Sequence, residues 1–258
     1  MNTSHLVMTE TRDHVLTITL NHPKANALNR AMISDLQATL RQAEQASEVR
    51  CVLLLGSGKF FSSGHDLNEV RQVLGEPIRP YLVRYHNPLI LQIRRLEKPV
   101  MAAINGMAAG AGLGIALACD LRIAAQNAYF VVGFLGVGLG VDSGVSLLLP
   151  TLMGLGRASE YTFTNAAISA EQALAWGLVN RLASEEELHQ KAHEWAAEIA
   201  QGAVGAMGLA KRAFNKAMLP SLEEALDYEA YLQDVAASRQ EHQEGLRAFF
   251  EKRMPRFI

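Results

Sequence analysis

The stretch from Val100 to Cys119 contains no charged residue and is long enough to cross a bilayer, yet Asn105, Gly106, Gly110, Gly112 and Gly114 interrupt it. Breaks at that density argue against a spanning helix and mark turns or close backbone approaches instead. The stretch reads as a strand from Val100 to Ile104, bounded in front by Pro99, a turn at Asn105-Gly106, and a small-residue helix from Ala111 to Ala118. A strand passing directly into a helix is the unit of an α/β fold.

The same alternation continues on either side. Val15 to Leu20 alternates apolar residues with threonine, as a half-buried strand does, and Asn29 precedes a helical pattern from Arg30 to Ala46. Cys51 to Leu55 is a continuous apolar run closed by Gly56-Ser57-Gly58, which fits a strand buried on both faces. An irregular piece, Phe60 to Leu67, leads towards a helix over Tyr81 to Leu96, and Leu121 to Ala124 and Tyr129 to Val132 read as short strands. Together these predict βα units with mostly parallel pairing. The last third changes character. Ser169-Ala170-Glu171-Gln172 fits a capping box whose helix stops at Gly177, and Leu178 to Leu182 reads as one more strand. Helices then follow over Glu185 to Gln201, Ala206 to Met218, and onward from a second capping box, Ser221-Leu222-Glu223-Glu224. The expected division is a core over 1–199 and a helical C-terminal region over 200–258.

Composition removes several classes of function. With 258 residues, 49% hydrophobic and 19% charged, the chain can bury one full core plus an appendage. A formal charge of -2 and no Lys/Arg-rich stretch with interleaved aromatics argue against a nucleic-acid partner. Met1 to His14 carries Glu10, Arg12 and Asp13 and lacks a signal-peptide core. Cys51 and Cys119 lie inside apolar runs, as buried reduced thiols do, so a cytoplasmic location without a membrane partner is expected. No His, Cys, Asp or Glu group has metal-ligand spacing. Gly75 to Pro80 is the best candidate for a flexible segment.

Asp142 is the only charged residue between Arg122 and Arg157. Removing a carboxylate from water costs several kcal/mol, so a lone one among apolar residues is paired, neutralised or kept for chemistry. Equally open is a cap on a helix beginning at Ser143, since Asp is a favoured N-cap. Two other stretches, Ser62-Ser63-Gly64-His65-Asp66 and Gly110-Ala111-Gly112, have small residues where backbone N–H groups can approach a ligand. A helix N-terminus offers unpaired amides and a partial positive charge, which suits a carbonyl oxygen or enolate. The alternative is that these residues only let a helix pack tightly on a strand.

Those loops carry a resemblance over nearly the whole chain. Pro23 to Asn29, Phe61-Ser62-Ser63-Gly64-His65-Asp66-Leu67, Lys98-Pro99-Val100, Ala102 to Gly106, Cys119-Asp120, Ser169 to Val179, and Glu244-Gly245 through Lys252-Arg253 resemble, in order and spacing, the crotonase (enoyl-CoA hydratase/isomerase) superfamily. The resemblance implies a spiral of ββα units with a helical C-terminal trimerisation region, and assembly as a homotrimer or a dimer of trimers. It implies an acyl-CoA thioester as substrate, coenzyme A being part of that substrate and no further cofactor being needed. The thioester oxygen would be gripped by the backbone N–H groups of Ser63 and Ala111. Lys24, Ala25, Ala27, Ser62, His65, Asp66, Leu67, Gly110, Phe134, Phe250 and Lys252 would contact coenzyme A or the acyl group, although Lys24 could equally serve surface solubility and Phe250 and Lys252 helix packing. Asp66 and Asp120 would order loops.

Hydratases of this superfamily use two glutamates, and those positions fall on Gly114 and Phe134, neither of which moves a proton. Two branches place an aspartate where Asp142 stands. Asn87-Pro88-Leu89, Gly64 to Asn68 and Phe130-Val131 resemble the ring-1,2-epoxyphenylacetyl-CoA isomerases, which also shift double bonds in enoyl chains. Ala108 to Gly110 and Leu113 to Ile115 resemble the 4-chlorobenzoyl-CoA dehalogenases, but the histidine and tryptophan of that branch fall on Asn87 and Phe134, with His86 one position away. The expectation is an isomerase in which Asp142 alone is the acid/base, in phenylacetate or fatty-acid catabolism. Dehalogenase-like or hydratase activity, and an inactive acyl-CoA-binding scaffold, are the alternatives. Acyl specificity would come from Val70 to Tyr85.

Overall fold

The computed structural model describes residues 5–72 and 76–257. Gly75, where the flexible segment is expected to begin, lies outside the described residues, as do residues 1–4 of the N-terminal stretch. Nine strands form two sheets among the described residues. They are β1 (Val7–Arg12), β2 (Val15–Leu20), β3 (Cys51–Gly56), β4 (Val100–Ile104), β5 (Met107–Ala109), β6 (Leu121–Ala125), β7 (Tyr129–Val131), β8 (Ile168–Ser169) and β9 (Arg181–Ala183). The larger sheet has the order β1-β2-β3-β4-β6-β9, parallel except for the β1-β2 hairpin. The smaller one is β5-β7-β8. The chain therefore enters the large sheet with β4, turns at Asn105-Gly106 into the small sheet with β5, and leaves through the helix Ala111–Ala118 before β6 and β7 repeat the step. This alternation is the ββα spiral.

Burial explains the strands that the sequence announced. Every residue of β3 and β4 is buried, matching their unbroken apolar runs. The helix Leu188–Ala200 packs across β2, β3, β4 and β6. β1 escaped notice because all but its first residue are exposed, so it has no apolar face to read. Cys51 and Cys119 are buried free thiols, and burial pushes both up to about 12.

Local expectations are corrected in four places. The helix expected from Tyr81 begins at Arg79, winds as a π-turn over Leu82–His86, and becomes α-helical from Asn87 to Arg95. Pro88 has no N–H for the regular i→i−4 ladder, and Asn87 N–H reaches back to Leu82 O. The strand expected over Leu178–Leu182 is Arg181–Ala183; Leu178 and Val179 are buried in the loop before it. The Ser169 capping box forms with both reciprocal bonds, whereas Ser221 makes no side-chain cap, because φ -101 and ψ 14 leave it outside the extended region that a cap requires. Finally, the helix after Asp142 is Val145–Met153, and Asp142 is not its side-chain cap.

The last helices, Val204–Met218, Leu222–Ala237 and Gln240–Phe250, are not a detached layer. Leu222 and Leu226 join the main core, and the helix Leu222–Ala237 lies against the π-turn, the helix Asn87–Arg95 and the helix Val145–Met153. That placement brings its buried side chains over Asp142.

Candidate active site

The two glycine-containing loops meet. Ala109 N–H donates to Ser62 O at 2.9 Å, and Gly110 N–H to Val131 O at 3.2 Å, fixing the entry to the helix Ala111–Ala118. Gly110 takes φ 53 and ψ -129, a positive-φ conformation open to glycine that lets the chain swing abruptly into the helix. Opposite it, a Cβ at Gly64 would lie 2.8 Å from Ala109 O and 3.2 Å from Ala111 N, so only glycine permits this approach. The donor pair differs from the expectation. Ser63 N–H is already given to Ala25 O at 3.0 Å. Within the loop Ser62 to Asp66 it is His65 N–H that meets no acceptor among the described residues, while the flanking Gly64 O and Asp66 N–H are both paired with Leu28. At the helix start Ala111 N–H meets none among them, nor do Gly112 and Leu113 N–H behind it. Availability of a backbone donor depends on loop pairing, which residue type does not reveal.

The loop Lys24 to Leu28 is the clamp that holds this geometry. Asn26 is buried; its Nδ2 donates to Ser57 O and Phe60 O, and its Oδ1 accepts from His22 N–H. Ser62 is fully buried and donates its hydroxyl to Asn26 O at 2.8 Å, so it orders the loop and does not face a ligand. Asp66 accepts from Asn68 N–H, and Asp120 accepts from Val100 N–H while pairing with Arg94 and Lys211, which are loop-ordering roles.

Asp142 is buried, 7% exposed, and each carboxylate oxygen accepts one hydrogen bond. Oδ1 takes the Ser143 hydroxyl at 2.7 Å and Oδ2 takes Gln233 Nε2 at 2.7 Å. Burial raises its pKa above the ordinary carboxylate range, opposed by the Ser143 and Gln233 bonds and by His65. The backbone bend beneath it, Ser143 at φ 57 and Gly144 at φ 78, is held from the C-terminal helix. There Glu229 accepts Gly144 N–H through Oε2 and Ser146 N–H through Oε1, both at 2.8 Å. Glu229 thus fills the capping position weighed for Asp142, and the Asp142 carboxylate takes no part in capping that helix. Gln233 completes the hold by donating also to Gly140 O at 3.0 Å.

Glu229 and Gln233 were missed in the sequence, and His86 was noted there only as one position from the dehalogenase histidine. Each lies on the apolar stripe of its helix: Glu229 and Gln233 alternate with Leu222, Leu226 and Ala230, and His86 falls between Leu82 and Leu89. A polar residue on a buried stripe is the available signal. His86 Nδ1 lies 3.3 Å from Ser143 Oγ, and burial pushes its pKa well below the imidazole range.

No carboxylate stands at either hydratase position, and at Gly114 none would fit. A Cβ at Gly114 would lie 2.5 Å from Ser143 Cβ and 2.7 Å from Ser143 O, so the helix and the Asp142 turn are in backbone contact. Phe134, buried, sets its ring edge 4.0 Å from where a Cβ at Gly110 would be. An apolar ring therefore lies beside the donor loop. Of the remaining expected contacts, Lys24 is exposed, Ala25 and Leu67 are half-buried and Ala27 is buried. Phe250 is half-buried beneath the Arg71 guanidinium at 4.8 Å, and Lys252 is exposed. The structure does not bring Lys252 to Asp142 by any hydrogen bond or ion pair among the described residues. His65 stacks on Tyr81 at 4.6 Å and helps to line a cavity of about 210 Å³ with Val70, Arg84 and Tyr85.

The sequence profile of the enoyl-CoA hydratase/isomerase family matches residues 10–258. A 1,2-epoxyphenylacetyl-CoA isomerase of Escherichia coli (strain K12) is 37% identical, covering 97% of this chain and 97% of that protein. A 4-chlorobenzoyl coenzyme A dehalogenase of an Arthrobacter species is 34% identical, covering 92% and 87%. Among solved structures, an enoyl-CoA hydratase from Mycobacterium avium subsp. paratuberculosis K-10 superposes with a TM-score of 0.89 at 32% identity, covering 98% of this chain and 99% of that one.

Proposed function

Because this chain belongs to the enoyl-CoA hydratase/isomerase family, whose members act on CoA thioesters, we propose that it is an acyl-CoA isomerase with Asp142 as its acid/base. The carrying observation is that Asp142 is a buried carboxylate held by two neutral side-chain donors, Ser143 and Gln233, on the turn that packs against Gly114 of the helix begun by Ala111, whereas Glu229 binds two backbone N–H groups of that turn. One base suffices for isomerisation: it removes a proton from one carbon of the acyl chain and returns it to another. The His65 and Ala111 N–H groups take the thioester oxygen as it gains enolate charge, each worth roughly 3 kcal/mol in the transition state. A raised pKa suits a group that must both accept and give a proton near neutrality.

Hydration is disfavoured because Gly114, in steric contact with Ser143, and Phe134 supply no acid/base at the two hydratase positions. Dehalogenation is disfavoured because Asn87 spends its amide on Leu226 O at 3.0 Å and Phe134 has no donor. The likeness to an epoxyphenylacetyl-CoA isomerase supports a ring-epoxide or 3-enoyl thioester as substrate. Lys24, Ala25, Ala27, Leu67, Phe250 and Lys252 are the proposed coenzyme A contacts, and exposed Phe163, Leu209 and Phe214 suit subunit contacts in the proposed homotrimer or dimer of trimers. The test is to supply 3-enoyl, 2-enoyl, ring-epoxide and 4-chlorobenzoyl thioesters separately. Conjugated or ring-rearranged product is expected; a hydroxyacyl product, chloride release or no turnover at all would overturn the proposal, the last favouring a binding scaffold.

A further inference from the structure

A second line of chemistry leads away from Asp142. Ser143 Oγ lies between Asp142 Oδ1 at 2.7 Å and His86 Nδ1 at 3.3 Å. His86 is 2% exposed, and its Nε2 is buried without a partner among the described residues, as is His65 Nε2. The two imidazole rings are 5.2 Å apart. His65 Nε2 in turn stands 3.9 Å from Glu69 Oε2, where the side chains reach solvent at 19% and 29% exposure.

Proton counting gives this line two states. A hydroxyl carries one proton and a neutral imidazole one N–H. While Asp142 is ionised it can only accept, so Ser143 donates to it, His86 presents Nδ1–H to Ser143 Oγ, and Nε2 is a bare lone pair. When Asp142 is protonated, its O–H can point to Ser143 Oγ, Ser143 donates to His86 Nδ1, and the imidazole proton sits on Nε2. The two states differ by one proton, and it enters or leaves at the orphaned nitrogen.

We propose that Asp142, Ser143 and His86 form a proton relay that opens towards His65 and Glu69, so that the proton taken from the acyl carbon exchanges with solvent water. This rests on Asp142 being the acid/base. In one passage the Asp142 O–H bond breaks as Ser143 Oγ gains that proton. The former Ser143 proton bonds to His86 Nδ1, and the Nε2–H bond breaks, its proton leaving towards His65 and Glu69, where the side chains reach solvent, and ending on water. Each bonding pair stays with the atom that loses its proton, and nothing is oxidised or reduced. Burial, which keeps the His86 ring from holding a full charge, favours a hand-over through the neutral ring. The other titratable or charged groups facing the line are Glu229 beneath the Ser143 turn, Tyr81 stacked on His65, and Arg30 over Tyr81.

The first measurement is deuterium incorporation per turnover when a 3-enoyl-CoA thioester is isomerised in D2O. Wild-type product carries solvent deuterium, and in Ser143→Ala, which keeps the Cβ packed on Gly114, and in His86→Phe the ratio falls about tenfold, the effect of losing one hydrogen-bonded link. An unchanged ratio in both variants overturns the relay. The second measurement needs no turnover: 15N NMR of histidine-labelled full-length protein follows the His86 tautomer against pH. A switch from Nε2–H at low pH to Nδ1–H at high pH, absent in Asp142→Asn, is expected; a single tautomer throughout, or formation of imidazolium, refutes the relay even if no thioester is turned over. Failure of isomerisation with the tautomer switch intact would instead count against the isomerase proposal alone.

Discussion

Replacing Gln233 with Met should move the acidic limb of the pH–rate profile upward. Gln233 is fully buried and gives its only donor group to Asp142 Oδ2 at 2.7 Å and Gly140 O at 3.0 Å. A hydrogen bond to an ionised group is worth about 1.5–3 kcal/mol, nearly all of it in the charged state, and about 1.4 kcal/mol corresponds to a tenfold change in a protonation equilibrium. Losing it therefore raises the Asp142 pKa, already elevated by burial, and carries the limb upward by about 1–2 on the pH scale. If Asp142 must be ionised to take the first proton, kcat/KM at a fixed pH on the acid side falls by about 10–100-fold, while the rate above the limb changes little. Stability should change less than rate. Gln233 Oε1 has no partner among the described residues, so removing the amide relieves a buried unsatisfied acceptor and offsets part of the two lost bonds. The sign of the linkage is fixed: because the folded-state pKa of Asp142 is raised, its contribution to stability is complete below the unfolded carboxylate pKa and is lost as pH rises through the folded value. The assay is kcat/KM for a 3-enoyl thioester between acid and neutral pH, beside thermal melts. A limb that stays in place, or moves down, would refute the claim that Gln233 stabilises an ionised catalytic Asp142.

Glu229→Gln tests the other carboxylate. Burial holds Glu229 at about 7, so the stability it confers is complete below its unfolded pKa and disappears as pH rises through about 7. That is on the order of 3 kcal/mol, and the variant should flatten the decline in Tm over that window; a decline as steep as in wild type would contradict it. Gly64→Ala should lower kcat by about 10²–10³ because the new Cβ, at φ +87 and 2.8 Å from Ala109 O, forces the donor loops apart. Wild-type kcat in that variant would count against the His65 and Ala111 N–H pair.

What could be read from the sequence was whatever rests on local pattern. The unbroken apolar run of Val100 to Ile104 and the charge isolated at Asp142 both reported burial, and both are buried. Motif order led to the meeting of the Gly64 and Gly110 loops. Hidden from the sequence was whatever depends on pairing across the fold. Ser63 and His65 are indistinguishable as N–H donors until Ala25 O is found to occupy one of them. The Ser221 box has the right residues but the wrong backbone angles. Gln233 stands 91 residues along the chain from Asp142, and only the position of Glu229 and Gln233 on a buried helical stripe announces them. β1, exposed almost throughout, gave no pattern at all.

The central claim is that Asp142 is the acid/base of an acyl-CoA isomerase, and Asp142→Asn tests it most directly. The amide keeps the size and much of the bonding to Ser143 and Gln233 but cannot take a proton. Conversion of a 3-enoyl-CoA thioester to its conjugated isomer, followed in single turnover with saturating variant protein, should fall by about 10²–10⁴, with thioester affinity retained. Conversion at the wild-type rate would contradict the account.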